Sequence, residues 1–544
     1  MSFASPSRRD LFQASLITVA LAWGPAAIFA VHDPTLALWG VPDLGLVILA
    51  WLGLTTVRPS WASAPGLRMG LVLAWATFAL FGVAWTASLV ATQERLPLYD
   101  LLLLTRPVWV FASDLYGAWA PWTLFGLTLT IGLLLTLLTG WAWPRLPQPS
   151  TSRASAFIAS IAVVVGLFGS GFWTPRIVAD LTESVALYRQ VQSQVTARED
   201  LADRSVDVRP DVRLFVIESY GDVALEAPTG DRHRALLKEL ESTLVAGGWS
   251  MASGRSVAPT HGGRSWMADA TVLTGIEVDR QATFGHVTAL GRTLPSLPRF
   301  FAEQGYETVL VRPKDRARPG VRLVNHFGFT TTVFHDELAY TGPAVGWGHI
   351  PDQYTVDVTE QTVIRPMSGP VFAFFHLATA HYPWGEPPAI YEDAREWLTE
   401  TGERDYVQRD RRPFFMLGME LSRFKSRRRA LRDRHGADRE AFQGLVAYDL
   451  QVLSRAFATP RRPTLMLWYG DHQPPFIADG APRNAVVHVL ATDPAWLEPF
   501  LADGFEPGLD PGPRTPPGLH HRDLFERITS ALGNPRRPSA RPAE

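Results

Sequence analysis

Residues 464–475 read TLMLWYGDHQPP, an unbroken apolar and aromatic run that stops abruptly at Gly470, Asp471 and His472. A short run of this kind, without alternation, is what a strand covered on both faces requires, and such strands belong to parallel sheets flanked by helices. In open α/β sheets the reactive groups gather where strands end, so Asp471 and His472 mark a place to look for chemistry. Two other stretches have the same form. RLFVIESYGD (213–222) runs into Glu218, and VFAFFHLATAHYPW (371–384) carries His376 and His381 at the end of its apolar run. Together with Thr308–Val311 and Val486–Leu490, and with helix-like segments between, they predict one large α/β domain over residues 210–510.

Glu218, Asp471 and His472 offer two carboxylates and an imidazole, a mixed oxygen and nitrogen set suited to Zn²⁺ or Mn²⁺ that still wants a fourth ligand. The segment SVAPTHGGRSWMADATVLTG (256–275) supplies a candidate. Small residues crowd before Ser265 and a helix-like run follows, which puts Ser265 at a helix N-terminus, where backbone N–H groups and the helix dipole favour an anionic phosphate or sulfate. A hydroxyl on a divalent metal also ionises more readily and becomes a usable nucleophile. Thr260 is the competing hydroxyl, and a glycine-rich turn whose serine merely caps the helix is the plain structural alternative.

The first 175 residues are a different material. Apolar stretches at about 11–31, 36–56, 67–92, 121–143 and 155–174 each approach the length needed to cross a bilayer, and we read five membrane spans, a multi-pass α-helical anchor. A cleaved signal sequence is the alternative for the first, and a sixth span the alternative for 97–121, which Asp100, Arg106, Pro107 and Asp114 interrupt. Arg8, Arg9, Arg58, Arg68, Arg145 and Arg153 fall on one side of five alternating spans, against Arg95, Arg106 and Arg176 on the other. The positive-inside rule then puts the N-terminus in the cytoplasm and everything after Trp173 outside. Residues 176–209 read as a linker helix and charged connector, and residues 511–544 as a short helix with a disordered tail rich in Pro and Arg.

Composition narrows the chemistry further. The 544 residues carry a formal net charge of −2, too balanced for a nucleic-acid binder, and no cysteine, which removes thiolate nucleophiles, disulfides and Cys-based zinc sites. The basic run 423–436 (RFKSRRRALRDRHG) reads either as a solvated helix face or as a patch attracted to an anionic surface.

The succession IESYGD, GGRSWMADA, HYPW and WYGDHQP resembles the alkaline phosphatase superfamily, in particular the membrane-anchored, sulfatase-like branch containing lipoteichoic acid synthases, phosphoglycerol transferases and, more distantly, phosphoethanolamine transferases. The resemblance implies an α/β sulfatase-like domain on the periplasmic or extracellular side of a bacterial cytoplasmic (inner) membrane. It implies one divalent metal ion (Mn²⁺ or Zn²⁺, with Mg²⁺ as a further option) held by Glu218, Ser265, Asp471 and His472, with Ser265 as nucleophile and His381 on the substrate phosphate. It also implies a substrate-gripping arginine within RPKDRARPGVRLVNHFGF (312–329), for which Arg318 and Arg322 are the choices over Arg312 and Arg316. Members of the family often use Thr where this chain has Ser265. The C/S-x-P-x-R motif of formylglycine sulfatases is missing around Ser265, which argues against that chemistry.

The expected activity is therefore transfer of a phosphoglycerol or phosphoethanolamine head group from a membrane phospholipid donor to an acceptor hydroxyl of an envelope glycan or lipid, through a covalent Ser265 ester. Two alternatives stay open: hydrolysis of a phosphodiester or sulfate ester at the same site, and a non-catalytic membrane scaffold.

Overall fold

The computed structural model describes residues 206–533, apart from gaps at 207, 227, 318–322, 346–348, 383, 400–429, 478–481 and 514–517, together with a helix over 186–195 and isolated positions between 103 and 137. The chain divides into two units, Met1–Ala186 and Leu187–Glu544. In the first unit the isolated positions are helical, and Trp119, Trp122, Leu133, Leu134 and Leu137 among them are exposed. The five expected spans fall almost wholly outside the described residues, and among the described residues no helix is long and apolar enough to cross a membrane.

The second unit is built on one nine-stranded sheet. Its strands are β1 (Asp211–Ile217), β2 (Ser250–Val257), β3 (Glu307–Arg312), β4 (Thr331–Phe334), β5 (Val371–His376), β6 (Thr464–Gly470), β7 (Asn484–Ala491), β8 (Glu506–Pro507) and β9 (Leu519–His520). The order across the sheet is β4-β3-β5-β1-β6-β7-β2-β8, with β9 beside β2. From β4 to β6 every neighbouring pair is parallel, and β7 and β2 then run antiparallel. The five strands expected from the sequence are all present.

Both faces of the central strands are covered, which is why they read as continuous apolar runs. On one face Val212, Leu214 and Val216 of β1 join Phe372 and Phe374 of β5 and Leu465, Leu467 and Tyr469 of β6 in one core. On the other face Phe215, Ile217, Phe375, Met466 and Trp468 belong to a second core. The main helices are α1 (Gly230–Ala246), α2 (Ser265–Thr274), α3 (Gln281–Ala289), α4 (Leu297–Glu303), α5 (Asp352–Thr359), α6 (Ala430–Ala456) and α7 (His521–Leu532). Residues of α2, α4 and α7 fill the first core; residues of α1, α5 and α6 fill the second.

Two segments placed outside the domain by sequence are part of it. Val191, in the helix over 186–195 of the expected linker, is buried in the first core. Helix α7, expected as a short helix outside the domain and ahead of a disordered tail, buries Leu524, Phe525, Ile528 and Leu532 there, and β9 just before it pairs with β2. A helix with one strongly apolar face needs a surface to cover, and α2 supplies it.

Candidate metal and phosphoryl site

Strand order does the first part of the assembly. β1 lies between β5 and β6, all parallel, with Val216 opposite His376 and Ile217 opposite Gly470. Three carboxyl ends therefore lie side by side, and Glu218, His376 and Asp471 meet there although they are far apart in sequence. Their ligand atoms all lie within 4.8 Å of one another. Gly470 is required at the β6 end, because a Cβ at that position would stand 2.0 Å from the Tyr220 carbonyl oxygen.

The glycine-rich turn supplies the fourth group. Gly262 (φ 64°) and Gly263 (φ 144°) occupy conformations open mainly to glycine, and Arg264, at φ 65°, occupies one that is costly for a side chain. The turn delivers Ser265 as the first residue of α2. Its Oγ donates to Glu218 Oε1 at 3.1 Å and stands 3.4 Å from His472 Nε2. Ser219 is the second strained non-glycine residue, at φ 61°, and its N–H is thereby aimed at Asp471 Oδ1, 2.7 Å away. Strain of roughly 1–3 kcal/mol at each such residue persists only where surrounding contacts hold it.

Hydrogen bonds on the far side of each imidazole set its tautomer. His376 Nδ1 donates to Asp269, 2.8 Å from Oδ2, so the Nε2 lone pair faces Glu218 Oε2 at 3.2 Å. His472 Nδ1 donates to the Gln473 carbonyl at 2.9 Å, so its Nε2 lone pair faces Asp471 Oδ2 at 3.2 Å and Glu218 Oε1 at 3.4 Å. Asp471 Oδ2 is buried and has no hydrogen-bond partner. Lone pairs of two carboxylates and two imidazoles thus converge in a place closed to solvent, an arrangement that favours positive charge there, part of which Lys314 supplies. Both imidazoles are in the tautomer a metal needs, each oriented by an outer partner. These donors fit one divalent ion of the zinc or manganese type.

The ionisation pattern has the same cause. Burial works against the Glu218 carboxylate, yet Lys314, His381, His376 and His472 around it hold its pKa well below the ordinary carboxylate value. Burial and the neighbouring Glu218 push Asp471 up. His376 and His472 are raised despite burial, chiefly by Asp269 and Asp471 respectively.

The residues read from the sequence fall as follows. Glu218, Ser265, Asp471 and His472 come together in this cluster. Thr260 is buried and its hydroxyl has no hydrogen-bond partner. His381 lies on the loop after β5, with Nδ1 on the Tyr382 carbonyl, and it carries a depressed pKa from burial. That loop is pinned by Asp352 at the start of α5, which accepts from the N–H groups of Ala378 (2.9 Å) and Thr379 (2.6 Å). Arg318 and Arg322 lie outside the described residues.

Three functional groups escaped the sequence reading. His376 was noted at a strand end without a role. Asp269 stands four residues after Ser265, one helical turn along the same face of α2, a spacing that was available to be read. Lys314 donates to Glu218 Oε2 at 2.9 Å and stands 2.9 Å from His376 Nε2. It is one of only three lysines in an arginine-rich chain and lies two residues after β3, which did not single it out in the sequence.

Comparison with known proteins adds the following. A family model described as Sulfatase matches residues 261–533. A protein of the alkaline phosphatase superfamily from Vibrio parahaemolyticus is similar in structure at 15% identity and a TM-score of 0.37, over 64% of this chain and 76% of that one. The Streptococcus pyogenes phosphoglycerol transferase GacH, in complex with sn-glycerol-1-phosphate, is similar at 11% identity and a TM-score of 0.34, over 64% and 92%. The integral membrane lipooligosaccharide phosphoethanolamine transferase A (EptA) of Neisseria meningitidis is similar at 10% identity and a TM-score of 0.42, over 91% and 95%. No curated protein matches the chain.

Proposed function

The chain belongs to the sulfatase family, and from that premise we propose that it is a membrane-anchored transferase that moves a phospholipid head group, phosphoglycerol or phosphoethanolamine, onto a hydroxyl of an envelope glycan or lipid. The observation that carries this reading is Ser265 itself: a hydroxyl at a helix N-terminus, 3.1 Å from Glu218 and 3.4 Å from His472, beside a cluster of lone pairs fit for a metal. Five apolar stretches support a multi-pass anchor in the bacterial cytoplasmic membrane, and the arginine bias supports an outward-facing catalytic unit, so donor and product both stay near the bilayer.

Glu218, His376, Asp471, His472 and the Ser265 hydroxyl would hold one Mn²⁺ or Zn²⁺ ion, which when bound lowers the pKa of the hydroxyl and neutralises charge on the phosphoryl oxygens. The chain's own groups do the rest. Glu218 accepts the Ser265 hydrogen bond and orients Oγ. Oγ forms a bond to phosphorus, the bond from phosphorus to the diacylglycerol oxygen breaks, and the proton lost by Ser265 is balanced by the one gained by diacylglycerol. In the second step the acceptor hydroxyl loses its proton and takes the phosphoryl group, and Oγ regains a proton. Lys314, charged and beside Glu218, favours the added negative charge of each transition state, and His381 contacts the phosphate. Arg318 or Arg322 supplies the fork of donors that grips it.

Intact-mass measurement of the metal-loaded protein after incubation with mixed phospholipids tests this. A phosphoglycerol or phosphoethanolamine adduct is expected on the native chain and absent from Ser265→Ala. If metal is bound and no adduct forms while diacylglycerol and free head-group phosphate accumulate, the enzyme is a hydrolase.

A further inference from the structure

His349 has no part in the chemistry above, yet it lies beside the same site. Its ring meets that of His381 edge-on, with centroids 5.7 Å apart. His381 in turn interacts electrostatically with Glu218, the residue that holds Ser265. A two-way backbone bond with Val345, at 2.8 and 2.9 Å, fixes His349 just ahead of α5. Its Nε2 is shut off from solvent and has no hydrogen-bond partner. Leaving a buried polar nitrogen unpaired costs roughly 1–3 kcal/mol, and few such atoms survive in native structures without a reason.

We propose that His349 reads the alcohol part of the phosphate ester: its unpartnered Nε2, beside His381, pairs with a hydroxyl of an uncharged, phosphoglycerol-like head group and leaves an ammonium-bearing one without a place. The inference rests on the phosphoryl-transfer reading of this site. The charges around the ring supply the exclusion. Burial first, and then His381, Lys314 and Arg316, disfavour a positive charge on His349, with Glu218 alone pulling the other way. An ammonium brought to the same spot meets the fixed positive charges of Lys314 and Arg316, whereas a neutral hydroxyl loses nothing to them and satisfies the idle nitrogen.

The test is equilibrium binding of sn-glycerol 1-phosphate, O-phosphoethanolamine and inorganic phosphate to the full-length, metal-loaded chain and to its His349→Leu and His349→Asn variants. The native chain is expected to favour glycerol phosphate by at least about tenfold. His349→Leu should erase that preference with inorganic phosphate unchanged, and His349→Asn, still a neutral hydrogen-bonding group, should keep part of it. Equal binding of the two esters by the native chain overturns the inference, as does parallel loss of inorganic phosphate in His349→Leu. An acceptor sugar offers the same hydroxyl chemistry. If His349→Leu spares the preference and weakens methyl glucoside instead, the hydroxyl is the acceptor's and the head-group assignment falls. If the metal-loaded native chain binds none of the three phosphates, the phosphoryl-transfer reading fails, and this inference with it.

Discussion

Asp269 shows how one carboxylate can govern a site it does not enter. It fixes the His376 tautomer through Nδ1 and pairs on its other side with Arg312 at 3.4 Å. Asp269→Ala frees the ring to rotate and exchange tautomers, so metal affinity should fall about 10–100-fold while the fold survives. Equilibrium dialysis against Zn²⁺ or Mn²⁺ measures it, and undiminished affinity would remove His376 from the ligand set. Gly470 makes the opposite kind of point. A methyl group there meets the Tyr220 carbonyl oxygen at 2.0 Å and its Cα at 2.9 Å, both backbone, so nothing can swing aside. Gly470→Ala should cost about 3 kcal/mol through overpacking, seen as a lower melting temperature, with loss of metal following from displacement of Asp471.

Among the elements, α7 and β2 separate what the sequence displayed from what it concealed. β1, β5 and β6 were legible because both of their faces are apolar, and their polar end residues led directly to Glu218 and to the Asp471–His472 pair. β2, SMASGRSV, was not, because a strand buried among polar partners has no apolar pattern. Its Ser253 bonds His488, its Arg255 pairs with Asp222, and its Ser256 bonds His521. Those partners lie up to hundreds of residues away, and no local window contains them. Lys314 was hidden for the same reason, since only the sheet order brings the end of β3 toward Glu218. Helix α7 was seen, but its place was not: a segment flanked by Pro and Arg looks like a tail until α2 is beside it. Phe525→Ala should therefore destabilise the domain by about 3–5 kcal/mol in urea titration, where a residue in a loose tail would cost nothing measurable.

The molecule as a whole carries a liability to acid. Ser253 donates to the Gly508 carbonyl, so its oxygen accepts from His488 Nδ1–H, and His488 Nε2 must accept from the Tyr220 hydroxyl, which accepts from His233 Nε2–H. His521 likewise donates from Nε2 to the Gly470 carbonyl and accepts from Ser256. Each ring is neutral by construction. Burial lowers His233 to about 4, His488 to about 3 and His521 to about 4. Unfolded, each binds a proton near pH 6.5, so from there down to about pH 4 the unfolded state holds more protons and stability falls as the pH falls, on the order of 3 kcal/mol per ring. The raised His376 and His472 work the other way, favouring the metal-free fold at low pH, and a bound metal cancels their share. The urea midpoint of the metal-loaded chain should drop steeply between pH 7 and pH 5; a flat profile would mean that these rings are not held neutral. Strand β1 has a different meaning on the scale of time. With a parallel neighbour on each side and a core on each face, Asp211–Ile217 offers no local path by which solvent deuterium can reach its amides. Exchange there should wait for the whole domain to open, long after the edge strands β4 and β8 have traded their hydrogens, so the lifetime of the residue that anchors Ser265 is the lifetime of the domain itself.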